Sequence, residues 1–230
     1  MDYYDLGAHT RTVTTNSPDA QLWFDRGLNW TYGYNHGEAI ACFQKAIEHD
    51  PACAMAHWGV SYAAGPNYNL PWHLYDPKGR AMALETAYDA MQAALSHIDG
   101  VTPVEAGLIN ALKARYPQRE PVDDMRPWNI DYTDAMRELF NANRDDLEVR
   151  TVFAEAIMNE TPWKMWDLKT GKAGKDARTD EAIAVLDEAF ETIPASWDHP
   201  GLLHLYCHLM EMSPFPERAL RQGDRLRDLV

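Results

Sequence analysis

The sequence predicts an all-α protein in which about five antiparallel helix pairs stack as a solenoid. The first observation is an alanine at positions 39, 87, 135 and 182, which are 48, 48 and 47 residues apart. The second is another alanine seven residues after each of these, with a large apolar residue between the two. The third is an amphipathic stretch of helical period before each alanine pair. The two alanine columns are Ala39, Ala87, Ala135 and Ala182, and Ala46, Ala94, Ala142 and Ala189.

The elements can be placed in order along the chain. Residues 1–18 are predicted to form an irregular leader, because Ser17 and Pro18 offer a cap and a first-turn proline for the first helix. A helical-repeat domain then covers residues 19–230, with repeats near 20–51, 54–99, 103–147, 148–194 and 200–230. The first helices of these repeats are predicted at 20–32, 54–64, 103–114, 148–159 and 200–212.

Long loops inside three repeats make the period longer than the common helical repeats of about 34 residues. They are predicted at 65–77, 116–131 and 159–178, and each contains a Pro-Trp step, at Trp72, Trp128 and Trp163. Insertions in a solenoid emerge on one edge, which is often the binding edge. The loops either fold over the groove as a lid or fill the gap between repeats.

Residues 21–51 match a known repeat pattern when they are counted back from the closing proline. In that pattern a glycine lets the second helix approach, and large side chains fill the wedge between the two helices. Arg26 departs from it where leucine is usual. The matching residues are Trp23, Gly27, Trp30, Ala39, Phe43, Ala46 and Pro51, and the unit resembles a tetratricopeptide repeat.

Four segments extend this resemblance to a family. They are LWFDRGLNWTYGYNHGEAIACF (22–43), DPACAMAHWG (50–59), GPNYN (65–69) and HPGLLHLYCHLMEMS (199–213). Together they are similar to a bacterial and fungal family of tetratricopeptide-repeat proteins without an assigned reaction. The resemblance implies a helical-repeat fold, and it implies that the chain is the N-terminal portion of a longer protein. A last helix at 217–230, with Leu220, Leu226 and Leu229 uncovered, then predicts self-association.

Composition argues against several classes of partner. Lys and Arg number 21 and Asp and Glu 35, which gives a net charge of −14. A chain this acidic repels phosphate backbones and anionic lipid surfaces, so neither nucleic acid nor a membrane is an expected partner. The three cysteines form no disulfide framework or zinc-binding pair, and no signal peptide or long apolar run is visible. We therefore expect a cytoplasmic protein.

A histidine stripe is the clearest candidate for chemistry. His204 and His208 are one helical turn apart, and Glu211 follows on the same side. Two imidazoles at this spacing can bind zinc or copper, with Glu211 as a further ligand or as a group that orients a ligand. Leu205 stands where a zinc protease would carry its catalytic glutamate. The alternative is that both histidines are hydrogen-bonding groups on the inner face.

A second candidate is a polar pocket formed by turns on one rim of the solenoid. The turn residues His36, Asn67, Asn69 and Trp72 would surround it. His57, on the second repeat, could face the same groove, and Trp163 belongs to a loop that could cover it. The alternative is that the asparagines are ordinary turn residues, which bond their own backbone.

These features support two functions from different classes. The first is binding of a protein or peptide partner in the concave groove, which rests on analogy with other helical-repeat folds. The alternative is a metal-dependent enzyme or small-molecule-binding protein that uses the histidine stripe. A peptide groove must stay open, whereas an enzyme pocket is closed over, so the shape of the inner face distinguishes the two.

Overall fold

The computed structural model describes residues 3–229 and shows a protein built mainly from α-helices, which confirms the predicted all-α class. Two short strands, β1 (Trp166–Asp167) and β2 (Lys172–Ala173), pair antiparallel. No helix in this described range is both long and apolar enough to cross a membrane. The helices are α1 (Pro18–Tyr32), α2 (His36–His49), α3 (Ala54–Ala64), α4 (Pro77–Ser96), α5 (Pro103–Arg115), α6 (Arg126–Ala142), α7 (Leu147–Glu160), α8 (Thr179–Thr192), α9 (Pro200–Met210) and α10 (Leu220–Arg227).

Side-chain caps determine where several helices begin. Ser17 accepts a hydrogen bond from the backbone of Ala20 at the start of α1. Thr102 and Glu105 form a reciprocal capping box at the start of α5. Such caps satisfy backbone N–H groups that have no partner within the helix, and their residue types are visible in the sequence. The first helix of each predicted repeat accordingly lies within two residues of its expected bounds.

Two of the three long loops differ from the prediction. Helix α6 begins at Arg126, so Pro127 and Trp128 lie in its first turn and not in a loop at 116–131. Proline is tolerated there because its missing N–H would have no helical partner. The loop predicted at 159–178 loses its first two residues to α7, and its middle forms the β1–β2 hairpin. The last predicted helix is a 3-10 turn (Pro216–Ala219) followed by α10, and Val230 lies outside the described residues.

Glycines allow the first helices to approach closely. The ring of Phe43 on α2 is fully buried and lies against Gly27 of α1 and Gly59 of α3. A Cβ atom at Gly27 would lie 2.6 Å from that ring, and one at Gly59 would lie 2.5 Å from it. Both distances are far below van der Waals contact, so this packing requires positions without a side chain. Leu139 of α6 occupies the space beside Gly107 of α5 in the same way.

The alanine columns differ in burial from one predicted repeat to another. In the third repeat Ala135 is half-buried and Ala142 is exposed, whereas Met136 and Phe140 are buried. The larger side chains bury more apolar surface against α5 and α7 than alanine could, so α6 turns them inward. Leu139, the large residue between these two alanines, still packs against Gly107 of α5 as the repeat pattern requires, and Ala135 packs against the core. The fully buried column alanines are Ala39, Ala46, Ala87, Ala94, Ala182 and Ala189.

Helix α7 runs through the middle of the molecule. All of its residues from 148 to 159 are buried. The hydroxyl of Tyr62 on α3 donates a hydrogen bond to Glu155 of α7 at 3.2 Å. Helix α9 contacts both α1 and α7. Side chains from the first helices of four predicted repeats thus meet in the interior.

The leader is attached to the helices by side-chain hydrogen bonds. Arg11 donates two bonds to Asp146, the capping residue of α7, at 2.7 and 2.9 Å. The backbone N–H and the hydroxyl of Thr14 donate to Glu105 of α5 at 2.7 and 2.6 Å. An irregular segment was predicted here, and its polar side chains hold it against α5 and α7.

Candidate functional site

A small polar cavity lies where α1, α3, α7 and α9 converge. Its volume is about 20 Å³, which is room for about one water molecule. The predicted site residues His36, Asn67 and His204 line it together, although they come from the first, second and fifth predicted repeats. The other lining residues are Thr31, Tyr32, Tyr34, Tyr62, Pro66, Thr151, Glu155, Gly201 and Leu205.

His204 and His208 stack on one side of α9, with 4.7 Å between their ring centroids. Nδ1 of His204 bonds the backbone carbonyl of Tyr32. Nδ1 of His208 bonds a carboxylate oxygen of Glu211 at 2.8 Å. A carbonyl and a carboxylate can only accept, so each ring donates its Nδ1–H to these oxygens. Burial lowers the pKa of His204, which keeps that ring neutral.

Tyr34 connects these two histidines with His36. Its ring centroid is 4.7 Å from that of His204, 5.1 Å from that of His208 and 5.5 Å from that of His36. Its φ of +57° lies in the left-handed region, which bulky residues rarely adopt and which is typical of functional sites. The Tyr34 hydroxyl and Nε2 of His208 are both buried without a hydrogen-bond partner among the described residues.

Like His204 and His208, His36 uses its Nδ1 to bond an oxygen acceptor. Its Nδ1 bonds the carbonyl of Tyr34 at 3.2 Å. Burial lowers the pKa of His36 to about 4, so at neutral pH its Nε2 is unprotonated. His36 and His204 therefore have the neutral state that metal ligation or hydrogen-bond acceptance needs.

A buried ion pair borders the cavity. Arg115 of α5 is 1% exposed and lies 3.7 Å from Glu155. Burial raises the pKa of Glu155, and the guanidinium of Arg115 opposes this. Tyr62 contacts both groups, because its ring lies under Arg115 and its hydroxyl bonds Glu155. The interior beside the cavity is thus polar, charged and shielded from water.

The predicted rim residues separate in the structure. The side-chain oxygen of Asn67 accepts hydrogen bonds from the backbone of Asn69 and Leu70, at 3.0 and 2.9 Å. This is the turn-forming role of asparagine, although Asn67 also lines the cavity. Asn69 is exposed, and Trp72 is buried against the ring of Tyr75 away from the cavity. Of this rim, the structure brings His36 and Asn67 together.

The remaining two predicted residues occupy different surroundings. Trp163 is 42% exposed and stacks on Tyr68, whose ring lies 5.4 Å from that of His208. The third long loop therefore reaches the end of the histidine stripe. His57 stacks on His97 instead, and its Nε2 bonds the carbonyl of Pro51. It does not line the cavity.

A second histidine cluster was not predicted from the sequence. His9 of the leader, Glu148 of α7 and His199 at the start of α9 place one potential ligand atom each within 4.8 Å of the others. His199 caps α9, since its Nδ1 accepts a hydrogen bond from the backbone N–H of Leu202. Neither His9 nor Glu148 has a motif around it, so no local signal could have identified the cluster.

Comparison with models of protein families finds no match for this chain, and comparison with curated proteins finds no similar sequence. The resemblance to a tetratricopeptide-repeat family therefore stays a prediction that rests on the quoted segments. Function has to be argued from the geometry of the cavity and of the two histidine clusters.

Proposed function

We propose that this protein is a tetratricopeptide-like α-solenoid that closes around a small polar site and binds a divalent metal, zinc or copper, through His204 and His208. The observation that carries the proposal is the orientation of the two rings. Each gives its Nδ1–H to a carbonyl or carboxylate oxygen, which leaves Nε2 as the ring atom that could bind a metal. Metal-binding histidines are oriented in this way by carbonyls and carboxylates, and Glu211 is the carboxylate here.

The shape of the inner face supports a small ligand over a peptide. Side chains from α1, α3, α7 and α9 fill the region where a groove would run, and the cavity that remains is about 20 Å³. A peptide in an extended conformation needs an open channel, so binding one there would require α9 to separate from α1. A metal with two protein ligands keeps open positions for water or for a small polar molecule. Recognition of a protein partner remains the alternative proposal.

The test is titration of the protein with Zn²⁺ and with Cu²⁺, followed by calorimetry. We expect His204→Ala and His208→Ala each to weaken binding at one site by at least about tenfold, since even groups that only orient a ligand contribute this much. His73→Ala is the matched control, because His73 is exposed and lies outside the cavity. Equal affinity and stoichiometry in all four proteins would contradict the proposal and favour a peptide-binding scaffold.

A further inference from the structure

Three elements that are distant in the sequence bring His9, Glu148 and His199 together. Nε2 of His199 lies 2.8 Å from one carboxylate oxygen of Glu148. Nε2 of His9 lies 3.6 Å from the other oxygen. Two ligand atoms bound to the same ion at bond lengths of 2.0–2.2 Å lie about 3.0–3.4 Å apart. The two nitrogen–oxygen distances observed here lie just below and just above that range. The hydroxyl of Tyr32 also bonds Glu148.

The donors have the chemistry that a cation requires. The side chains of Glu148 and His199 are both 4% exposed, so their donor atoms are shielded from solvent. Nε2 of His9 is buried, and no atom in residues 3–229 forms a hydrogen bond with it. Nδ1 of His199 accepts only a long 3.3 Å bond from the backbone of Leu202. That bond is weak, so the ring can move its proton to Nδ1 and free Nε2.

We propose that His9, Glu148 and His199 form a second binding site for a divalent transition metal such as Zn²⁺, with Tyr32 beside it. Two imidazoles and one carboxylate make up a three-ligand set with an open position, a donor combination found in catalytic zinc and non-haem iron sites. His9 is partly exposed, with 13% of its side chain accessible, so an ion can enter from the leader side. A bound ion would also fix the leader to α7 and α9.

This site is separate from the one at His204 and His208. The two share Tyr32 as a neighbour, since its carbonyl bonds His204 and its hydroxyl bonds Glu148. They have no proposed ligand in common. Each can therefore be removed by substitution without removing the ligands of the other, and the failure of one proposal leaves the other standing.

The test is Zn²⁺ calorimetry with stoichiometry, together with visible absorption of the Co²⁺-loaded protein. We expect His9→Gln and Glu148→Gln to remove one zinc site, or to weaken it by at least about a hundredfold, while the site at His204 and His208 is unchanged. His9→Cys is expected to keep that site and to add a sulfur-to-cobalt charge-transfer band. Glutamine can form hydrogen bonds but is a poor metal ligand, whereas cysteine is a good one. Comparing the two variants at position 9 therefore shows whether His9 acts as a metal ligand or as a hydrogen-bonding residue.

Far-UV circular dichroism establishes that the variants are folded, and Glu148→Gln retains the size and one acceptor oxygen of the carboxylate. Unchanged zinc stoichiometry and affinity in both glutamine variants would overturn the proposal. If His9→Cys lost zinc binding as completely as His9→Gln, the proposal would also be overturned. A ligand at position 9 predicts that the cysteine variant still binds zinc.

Discussion

Phe43 shows how single residues set the spacing between helices in this protein. Its ring fills the volume that side chains at Gly27 and Gly59 would otherwise occupy. The repeat pattern pairs a glycine on the first helix with a large residue on the second, and the structure shows the contact that makes this pair necessary. The same contact recurs between Gly107 and Leu139.

Gly27→Ala is expected to lower the free energy of unfolding by about 1–3 kcal/mol, because the new Cβ would overlap the Phe43 ring. The gain of up to about 1 kcal/mol in helix propensity is too small to compensate. Gly37→Ala is the matched control, since nothing lies within 4 Å of its Cβ position, and it should be neutral or stabilising. Urea unfolding measures both. The steric explanation fails if the two variants behave alike, or if Phe43→Leu does not reduce the cost of Gly27→Ala.

At this scale the sequence predicted the packing glycine and the histidine pair but missed the groups around them. His204 and His208 were found because helix geometry places residues four apart on one side. Tyr34 gave no such signal, since it meets His204 only through a contact across 170 residues of sequence. Glu148 lies in a predicted helix with no sequence feature to distinguish it from other glutamates. Long-range contacts of this kind have no local pattern.

At the scale of elements, the leader behaves as a structural part of the protein. Glu105 joins two elements, because one carboxylate accepts bonds from Thr14 of the leader and from Thr102 at the cap of α5. Burial opposes ionisation of Glu105, but these hydrogen bonds outweigh it and lower its pKa. Helix α1 begins at Pro18, whereas attachment of the leader depends on side chains that only the folded structure brings together.

Glu105→Gln is expected to reduce stability by about 1–3 kcal/mol at pH 7, because its amide would face the hydroxyl of Thr14 and the N–H of Thr102, leaving a buried donor unpaired. A lowered folded-state pKa stabilises the protein above the unfolded value and stops doing so as pH falls through the folded value. The difference between wild type and Glu105→Gln should therefore shrink below about pH 4.5. Urea unfolding across pH measures this. Glu191→Gln is the control, because Glu191 is exposed. A stability difference that does not change with pH would show that ionisation of Glu105 is not its cause.

Helix α6 shows that corresponding positions in a repeat pattern need not be equally buried. Its alanines follow the spacing of the other repeats, yet Met136 and Phe140 are the buried residues. Spacing indicates which positions correspond between repeats, but burial depends on which side chains fill the space between α5 and α7. The Pro-Trp step at Trp128 was misplaced for a related reason, since a proline in a first helical turn resembles a loop proline in sequence.

At the scale of the whole molecule, the contact between α9 and α1 bears on which ligand class the proposed site can hold. The fold class could be predicted because periodicity is a property of the chain. The contact between α9 and α1 could not, because no local pattern pairs two helices that are so far apart in the sequence. The predicted self-association stays a prediction, and Leu220 of α10 is the exposed residue of the three leucines.

Gly201 is the residue at which the contact between α9 and α1 can be tested. A Cβ atom there would lie 2.7 Å from the ring of Tyr32 on α1 and 2.8 Å from the side chain of Thr151 on α7. We expect Gly201→Ala to cost about 1–3 kcal/mol in urea unfolding, because α9 must move away from both helices. The same movement should weaken zinc binding at both proposed sites, since α9 carries His199, His204 and His208.

Gly223→Ala on α10 is the matched control for this experiment. Its Cβ would make an ordinary contact, 3.8 Å from the sulfur of Cys207, so its zinc affinity should match that of wild type. Its stability should equal that of wild type or exceed it by up to about 1 kcal/mol from helix propensity. If Gly201→Ala lowers stability no more than Gly223→Ala does, then α9 does not need to lie this close to α1. In that case the inner face could open, and a peptide in the groove would explain the fold better than a closed metal site.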